Sequence, residues 1–255
     1  MALDVAWNET GTRARLRFSH PTGNILTAAL VDELSAALDD IAEARHVRLV
    51  TIEGAGADFS FGASVPEHRP GEIETVLPAM HAMIQSLLSL PAPTAAVVRG
   101  RCLGGGFELA LACDFIFASD DATFGLPEIA LGVFPPAGSV LLPLRAGGAR
   151  ATSAVLTGRR RSAADWAADG LVELVAPAAD LDEAVDAWFA GSLGRWSAEA
   201  LRQAVRAVRG PVAEAAARRL PEVEQLYLKD AMRSRDAIEG LQAFLEKRAA
   251  VWKDE

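Results

Sequence analysis

The sequence predicts an α/β fold followed by a helical C-terminal region. Strand-like and helical segments alternate in the first part of the 255 residues. After about Gly158 the composition shifts to Ala, Arg, Glu and Leu, with helical periodicity and almost no strand pattern. Hydrophobic residues make up 51% of the chain and charged residues 23%, which is the balance of a globular protein with a large core.

The first predicted elements are a strand, a helix and a second strand. Ala14–Phe18 alternates apolar and charged side chains, as a half-buried strand does. Leucines recur at helical spacing over Thr27–Ala44, where Thr27 is placed to cap the helix. Val47–Ile52 is a short β-branched strand that ends at the turn signal Gly54-Ala55-Gly56.

The same alternation continues along the chain. A helix over Thr75–Leu90 carries one apolar face, and Pro91 and Pro93 end it. A buried strand, a helix and another strand follow, over Thr94–Val98, Phe107–Ala112 and Phe115–Ala118. Strands and helices in this order predict βαβ units with right-handed crossovers.

The last third of the chain is predicted to be helical. Pro211 and Pro221 interrupt its pattern, because proline breaks or kinks a helix interior. The predicted helices are Leu181–Phe189, Ser197–Val208, Val212–Arg219, Glu222–Met232 and Asp236–Trp252. The sequence contains no internal repeat, so a solenoid fold is not predicted.

Charge and composition exclude several classes of protein. The 25 basic and 34 acidic residues give a net charge of −9, which disfavours nucleic acid as the main partner. No apolar run approaches the roughly 20 residues of a membrane helix. The first 18 residues lack the pattern of a signal peptide, so we expect a cytoplasmic protein. Cys102 and Cys113 lie in apolar stretches and are predicted to be buried, reduced thiols.

A glycine triplet, Gly104-Gly105-Gly106, joins a predicted strand directly to a helix that carries Glu108. Glycines allow a ligand to approach the backbone closely, and a helix start presents unpaired N–H groups to negative charge. A phosphate-binding loop needs Lys and Ser or Thr after its last glycine, and this chain has Phe107 and Glu108 there. The site therefore favours an oxyanion beside an acid–base carboxylate, although a glycine triplet alone also serves packing.

A second small-residue loop, Phe59–Val65, follows the strand Val47–Ile52. Ligands of α/β folds bind at the carboxyl ends of strands, so two such loops can each direct one N–H to the same oxygen. Glu128 follows Pro127 in a third segment, Phe124–Ile129. Taken alone, Glu128 is most simply an acid in the first turn of a helix.

The order of these motifs resembles the crotonase (enoyl-CoA hydratase/isomerase) superfamily over nearly the whole chain. The matching segments are Asn24–Thr27, Phe61–Ala63, Gly104–Ala110, Cys113-Asp114, Phe124–Glu128, Leu131-Gly132 and Glu239–Arg248. The resemblance implies a crotonase-like spiral of ββα units. It divides the chain into an α/β core with the coenzyme A and active sites, residues 1–195, and a helical oligomerisation region, residues 196–255.

The resemblance also implies the roles of the site residues. The backbone N–H groups of Ala63 and Gly105 would form an oxyanion hole for the thioester oxygen. Glu108 and Glu128 would be the acid–base carboxylates that add water beside the thioester. Hydratases of this family carry both carboxylates and many isomerases carry one, so the presence of both favours a hydratase. Physical chemistry agrees, because the addition needs a base for water and an acid for carbon.

Two segments depart from the general family pattern. Ser64-Val65-Pro66-Glu67-His68 stands where most members have Asp and a basic residue, and Gly132–Pro143 lacks the usual Pro-Gly turn. Phe59–His68 together with Gly132–Pro143 resembles the branch of cyclohexa-1,5-dienecarbonyl-CoA hydratases, which implies a cyclic dienoyl thioester as substrate in aromatic-acid degradation. A linear short-chain enoyl-CoA remains the alternative, because loops vary without a change of chemistry. A thioester hydrolase or isomerase on the same fold and a non-catalytic coenzyme A-binding protein are further alternatives.

The resemblance implies further contacts and an assembly. The predicted substrate and coenzyme A contacts are Phe61, Ser64, Val65, Phe134, Phe244 and Lys247. Lys247 and Arg248 are candidates for a missing phosphate contact, although a solvated helix face is the simpler explanation of both. Trimers, usually paired into hexamers, are implied. No cofactor or metal is expected, since coenzyme A enters with the substrate and the histidines (His20, His46, His68 and His81) are widely scattered.

Overall fold

The computed structural model describes residues 2–69 and 71–255, so Met1 and Pro70 of the predicted core lie outside the described residues. The described strands are β1 (Leu3–Trp7), β2 (Arg13–Phe18), β3 (Leu49–Gly54), β4 (Thr94–Val98), β5 (Arg101–Leu103), β6 (Phe115–Ser119), β7 (Thr123–Gly125), β8 (Arg161–Ser162) and β9 (Leu174–Ala176). The described α-helices are α1 (Ala28–Glu43), α2 (Ile73–Ser89), α3 (Gly105–Leu111), α4 (Pro136–Ala146), α5 (Gly148–Thr157), α6 (Ala163–Ala168), α7 (Leu181–Gly191), α8 (Ala198–Lys229) and α9 (Arg235–Leu245). The predicted α/β class with a helical C-terminal region is confirmed.

The strands form two sheets. The main sheet has the order β1-β2-β3-β4-β6-β9, with β1 and β2 antiparallel and every later pair parallel. The smaller sheet has the order β5-β7-β8. Along the chain, β4 is followed by β5 and α3, and β6 by β7 and α4. Each pair of strands crosses from the main sheet to the smaller one before a helix, which is the predicted ββα repeat.

The elements before Gly158 follow the sequence pattern closely. The predicted helix Thr27–Ala44 is α1, and the side-chain oxygen of Thr27 accepts a hydrogen bond from the Leu30 N–H at 3.3 Å. The helix predicted over Thr75–Leu90 is α2, which begins at Ile73 and ends at Ser89. The apolar faces of these two helices pack together against the main sheet, as their periodicity predicts.

Several elements lie where no such element was predicted. Helix α4 begins at Pro136, inside the segment Gly132–Pro143 that the sequence analysis treats as a loop. Proline is favourable in the first turn of a helix, because the N–H that it lacks has no intrahelical acceptor there. Strands β8 and β9 lie after Gly158, where almost no strand pattern is present. They contain two and three residues, too few to produce a readable alternation.

The prediction of three helices between Ser197 and Met232 is wrong. One α-helix, α8, runs without a break through both Pro211 and Pro221. The residue before Pro211 is Gly210, which has no Cβ to clash with the proline ring in a helical conformation.

Packing against the core also keeps α8 a continuous helix. The guanidinium group of Arg209, 6% exposed, pairs with Asp114 and donates hydrogen bonds to the carbonyl oxygens of Leu90 and Ala92. Ala216 and Leu220 are fully buried on the same helix. These tertiary contacts offset the helix hydrogen bonds that the prolines cannot make.

The last predicted helix, Asp236–Trp252, ends earlier than expected. Helix α9 stops at Leu245, and Lys247 takes a φ of +54°. The N–H of Arg248 donates to the carbonyl of Ala243 and the N–H of Lys247 to that of Phe244, at 3.0 and 3.1 Å. This pair of bonds is a Schellman motif, which ends a helix without glycine at a cost in backbone strain.

The long helix α8 packs along α2 and α4, so the C-terminal region is in contact with the core. The division at residue 195 stays a prediction. Within residues 2–69 and 71–255, no helix combines the length and the apolar character needed to cross a membrane.

Candidate active site

The first small-residue loop follows β3 and turns at Gly62, whose φ of +106° favours glycine. The Ser60 hydroxyl donates a hydrogen bond to the Asn24 carbonyl at 2.7 Å and accepts one from the Gly62 N–H at 3.1 Å. Leu26 forms a parallel bridge with Ala63. The hydrogen bonds of Ser60 and the bridge to Leu26 therefore hold the backbone around Ala63 in place.

The glycine triplet brings a second backbone N–H beside the first. A Cβ atom on Gly105 would lie 3.2 Å from the backbone nitrogen of Ala63, and one on Gly62 would lie 3.4 Å from the backbone nitrogen of Gly105. Among the hydrogen bonds of the described residues, neither the Ala63 nor the Gly105 N–H has an acceptor. Two adjacent donors without a partner suit a developing oxyanion.

Gly104 brings the same turn against the second carboxylate. Its φ is +51°, and a Cβ atom there would lie 2.7 Å from Oε1 of Glu128. A side chain at this position would be strained and would displace Glu128. The glycine therefore joins the oxyanion donors and Glu128 into one compact site.

Glu108 lies in α3, one turn after the glycine turn, and only 6% of its surface is exposed. Its Oε1 accepts a hydrogen bond from the Gly138 N–H at 2.7 Å, in the first turn of α4. Burial raises the pKa of Glu108 to about 7, while the N–H groups of Gly138 and Ala137 act in the opposite direction by favouring the ionised form. Glu108 is thus poised to exchange a proton near neutral pH.

Glu128 lies in the short 3₁₀-helix Pro127–Leu131 that follows β7. Its Oε2 is buried and, within the part of the chain that the structure describes, has no hydrogen-bond partner. Burial raises the pKa of Glu128 well above its ordinary value, and the charge of Glu108 raises it further. The hydrogen bond from Gly138 favours ionisation of Glu108, and no such bond reaches Oε2 of Glu128 among the described residues.

Both carboxyl groups line a cavity of about 350 Å³, together with Ala63 and Gly105. Much of the remaining wall is apolar and includes Val65, Ile73, Leu77, Met80, Val133 and Phe134. A dry, mostly apolar wall around a few convergent polar groups is typical of a substrate site. Arg101 and Arg160 also line it, and the Arg101 guanidinium lies 4.1 Å from the ring centroid of Phe61.

The structure brings together most of the residues predicted to contact substrate. Phe61, Val65, Phe134 and Phe244 all line the cavity that holds Glu108, Glu128, Ala63 and Gly105. Ser64 and Lys247 do not line it. Ser64 is buried beside the cavity and its carbonyl oxygen binds His68, while Lys247 is exposed after the end of α9. Arg248 is engaged by Glu239 and Glu246.

Three features of the site were not predicted from the sequence. Gly138 supplies the N–H bound to Glu108, from a segment predicted as a loop. His68 lines the cavity, although the histidines were too scattered to indicate a site. Tyr227 lines it from α8, about one hundred residues or more away from either carboxylate in sequence. No local motif marks Tyr227, apart from its being the only tyrosine of the chain.

Comparison with known proteins agrees with this geometry. A family profile described as Enoyl-CoA hydratase/isomerase matches residues 9–255. The chain belongs to this family, and the fold and the paired carboxylates define an enzyme of the hydro-lyase class that acts on an acyl-CoA thioester.

Particular relatives are similar over nearly their full length. A cyclohexa-1,5-dienecarbonyl-CoA hydratase of Thauera aromatica is 42% identical over 252 residues, covering 99% of this chain and 97% of that protein. A protein of Mycobacterium bovis named "Probable enoyl-CoA hydratase echA8" is 35% identical, covering 89% and 88%. The crystal structure of an enoyl-CoA hydratase from Mycobacterium avium subsp. paratuberculosis K-10 has a TM-score of 0.88 at 29% identity, covering 100% of this chain and 99% of that chain. The predicted crotonase fold is confirmed.

Proposed function

We propose that the chain hydrates cyclohexa-1,5-dienecarbonyl-CoA to a hydroxycyclohexenecarbonyl-CoA. The observation that carries this proposal is the pair of carboxyl groups, Glu108 and Glu128, beside two unpartnered backbone N–H groups in one apolar cavity. The ring as acyl group is supported by the 42% identity to the Thauera aromatica hydratase over 99% of the chain.

The shape of the cavity also supports a compact acyl group. Ile73, Leu77, Val133 and Tyr227 belong to one packed cluster, and Phe134 packs against it. All five residues line the cavity. Bulky packed side chains form an apolar wall that suits a hydrocarbon ring.

The oxyanion donors act on the thioester. As water attacks, the electrons of the double bond move toward the thioester oxygen. In this proposal the N–H groups of Ala63 and Gly105 bind that oxygen as its charge grows. Losing one such donor costs enzymes about 3 kcal/mol of transition-state stabilisation. The wall of apolar side chains strengthens the effect, because a dry site screens charge less than water does.

The two carboxyl groups divide the proton transfers according to their pKa values. Glu108, the stronger acid of the pair, is ionised and takes one proton from water as the carbon–oxygen bond forms. Glu128, whose pKa is raised well above its ordinary value by burial and by the charge of Glu108, is protonated and delivers its proton to the carbon skeleton of the enolate. Proton exchange between the two carboxyl groups then restores the starting state.

The function is tested by following the conjugated chromophore and free thiol together. We expect purified enzyme to remove the absorbance of the conjugated acyl-CoA without releasing coenzyme A. Release of thiol with the chromophore intact would contradict hydration and would favour the thioester hydrolase alternative.

We also propose that the chain assembles as trimers, with pairing into hexamers. An apolar groove, lined by Leu193, Leu201, Val205, Val208 and Val212 among others, lies along α8, and the Val208 side chain is 80% exposed. Exposed apolar surface of this kind is typical of an interface. Light scattering is expected to report a multiple of three chains, and a single species of 26.9 kDa would contradict the proposal.

A further inference from the structure

The proposed hydration assigns no role to several polar residues of the cavity wall, and Tyr227 is one of them. Tyr227 lies on α8, is 2% exposed and lines the cavity beside the carboxyl groups. Among the hydrogen bonds of the described residues, its hydroxyl neither donates nor accepts one. A tyrosine hydroxyl on the wall of a substrate cavity that has no protein partner is available to hydrogen-bond a ligand atom.

Aromatic contacts hold the Tyr227 ring in place. Its centroid lies 5.4 Å from that of Phe134 at an interplanar angle of 74°, and 6.5 Å from that of His68 at 72°. Both are edge-to-face arrangements, which are favourable and directional. The hydroxyl is therefore presented from a fixed ring, and little rotamer freedom is lost when it binds a ligand.

The hydroxyl of Tyr227 acts as a donor throughout the working pH range. Burial raises the pKa of Tyr227, and the charges of Glu128 and Glu108 raise it further. Tyr227 lines the same cavity as Glu108 and Glu128, where the proton transfers of the proposed function take place. The oxygen added during hydration must lie within reach of Glu108 there.

His68, whose ring packs edge-to-face against Tyr227, offers a hydrogen-bond acceptor where Tyr227 offers a donor. Its Nδ1 lies 2.8 Å from the Ser64 carbonyl oxygen, which can only accept, so Nδ1 carries the proton. Burial lowers the pKa of His68, so the ring is neutral near pH 7 and Nε2 keeps its lone pair. A donor and an acceptor on neighbouring rings match an alcohol, which both donates and accepts.

We propose that Tyr227 is a specificity-determining residue whose phenol donates a hydrogen bond to the oxygen that water brings to the acyl group. The inference rests on the proposed function and deepens it. The unsaturated substrate lacks that oxygen and the product carries it as a hydroxyl. Tyr227 therefore favours the hydroxylated acyl-CoA over the same acyl-CoA without the hydroxyl group.

The conservative variant Tyr227→Phe tests this directly, because it removes the hydroxyl and keeps the ring packed on Phe134. We expect the affinity for the hydroxylated product to fall about tenfold, and the affinity for cyclohexenecarbonyl-CoA, which has no hydroxyl, to change less than about twofold. Equal changes for both ligands, or no change for either, would overturn the role of Tyr227.

The single tyrosine provides a second measurement that does not depend on the variant. Wild-type protein labelled with 3-fluorotyrosine gives one ¹⁹F resonance, from position 227. The resonance is expected to shift when the hydroxylated product binds and to shift less with cyclohexenecarbonyl-CoA. Identical shifts with both ligands would contradict the proposal.

Failure of the proposed function is recognised separately. If wild-type enzyme hydrates no enoyl- or dienoyl-CoA, the hydratase assignment falls and this inference falls with it. If wild-type enzyme is active and Tyr227→Phe retains the wild-type preference for the hydroxylated ligand, only the role of Tyr227 falls.

Discussion

The Gly138 N–H donates a hydrogen bond to Oε1 of Glu108 at 2.7 Å, which ties this carboxyl group to the first turn of α4. The positive end of the helix dipole and the hydrogen bond both favour the ionised form. Glu128 lacks such a donor on its Oε2 among the described residues. This difference supports the proposed roles of Glu108 as base and Glu128 as acid, which the following predictions test.

The pH dependence of activity is the first prediction. Since burial raises the pKa of Glu108 to about 7 and that of Glu128 well above its ordinary value, the active form of the proposed mechanism carries one proton on the pair. We expect kcat/KM to rise with pH through about 7 and to fall again at higher pH, where Glu128 ionises. A rate that does not change between about pH 5 and about pH 8 would contradict this assignment.

Removing either carboxylate is the second prediction. Glu108→Gln and Glu128→Gln are each expected to lower kcat by about 10² to 10⁴-fold, the usual contribution of a general acid or base. Glu9→Gln, at an exposed turn position, is the matched control and should retain wild-type kcat. Wild-type turnover in either active-site variant would remove that carboxyl group from the mechanism.

The stability of the Glu108→Gln variant is the third prediction. Because the pKa of Glu108 is raised to about 7 by folding, its contribution to stability is present below the ordinary value of 4.5 and is lost as the pH rises through about 7. This rise in the pKa of Glu108 corresponds to a change of about 3 kcal/mol in the free energy of unfolding. The variant should therefore unfold at higher denaturant concentration than wild type above about pH 7, with the difference vanishing near about pH 4.5. A variant less stable than wild type at high pH would contradict the burial of an ionisable carboxyl group.

The fourth prediction concerns the glycine turn. In Gly104→Ala the new Cβ lies 2.7 Å from Oε1 of Glu128, at a φ of +51°. We expect kcat to fall at least about tenfold, because Glu128 is displaced from the reacting carbon. Gly148→Ala is the matched control, since a Cβ there meets no atom within 4 Å and its φ is not left-handed. Equal kcat in the two variants would show that the glycine turn does not position Glu128.

The fifth prediction concerns the apolar wall. Phe134→Ala removes a ring that packs edge-to-face on Tyr227 and opens the cavity there. The ratio of kcat/KM for the cyclic substrate to that for a linear enoyl-CoA should fall about tenfold, with Phe134→Leu between wild type and Phe134→Ala. An unchanged ratio in both variants would mean that this wall does not select the acyl group.

Local motifs made part of the site predictable from the sequence. Glu108 lies three residues after Gly105 in one strand–glycine–helix motif, and Phe61–Ala63 is a second short motif. Each motif lies within a few consecutive residues, so its possible chemistry can be recognised without the tertiary structure. The site extends beyond such motifs. Gly138 was missed because a helix start after two prolines reads as a loop, and Tyr227 because only packing brings α8 to the cavity.

The same limit applies to the fold. Helices α1 and α2 were predicted because each has a complete apolar face. The continuity of α8 was not, because the proline at position 211 is a local signal and the buried Arg209 that ties the helix to the core is a tertiary one. The low helix propensity of proline favours a break there, but the tertiary packing of α8 keeps the helix continuous.

The central claim is that Glu108 and Glu128 hydrate a ring held in an apolar cavity, and its most direct test compares two substrates. Initial rates are measured for wild-type enzyme with cyclohexa-1,5-dienecarbonyl-CoA and with crotonyl-CoA under the same conditions. We predict a kcat/KM at least about tenfold higher for the cyclic diene. In Glu108→Gln we expect the rate with both substrates to fall by about 10² to 10⁴-fold. A higher kcat/KM for crotonyl-CoA would contradict the cyclic substrate and favour a general short-chain enoyl-CoA hydratase.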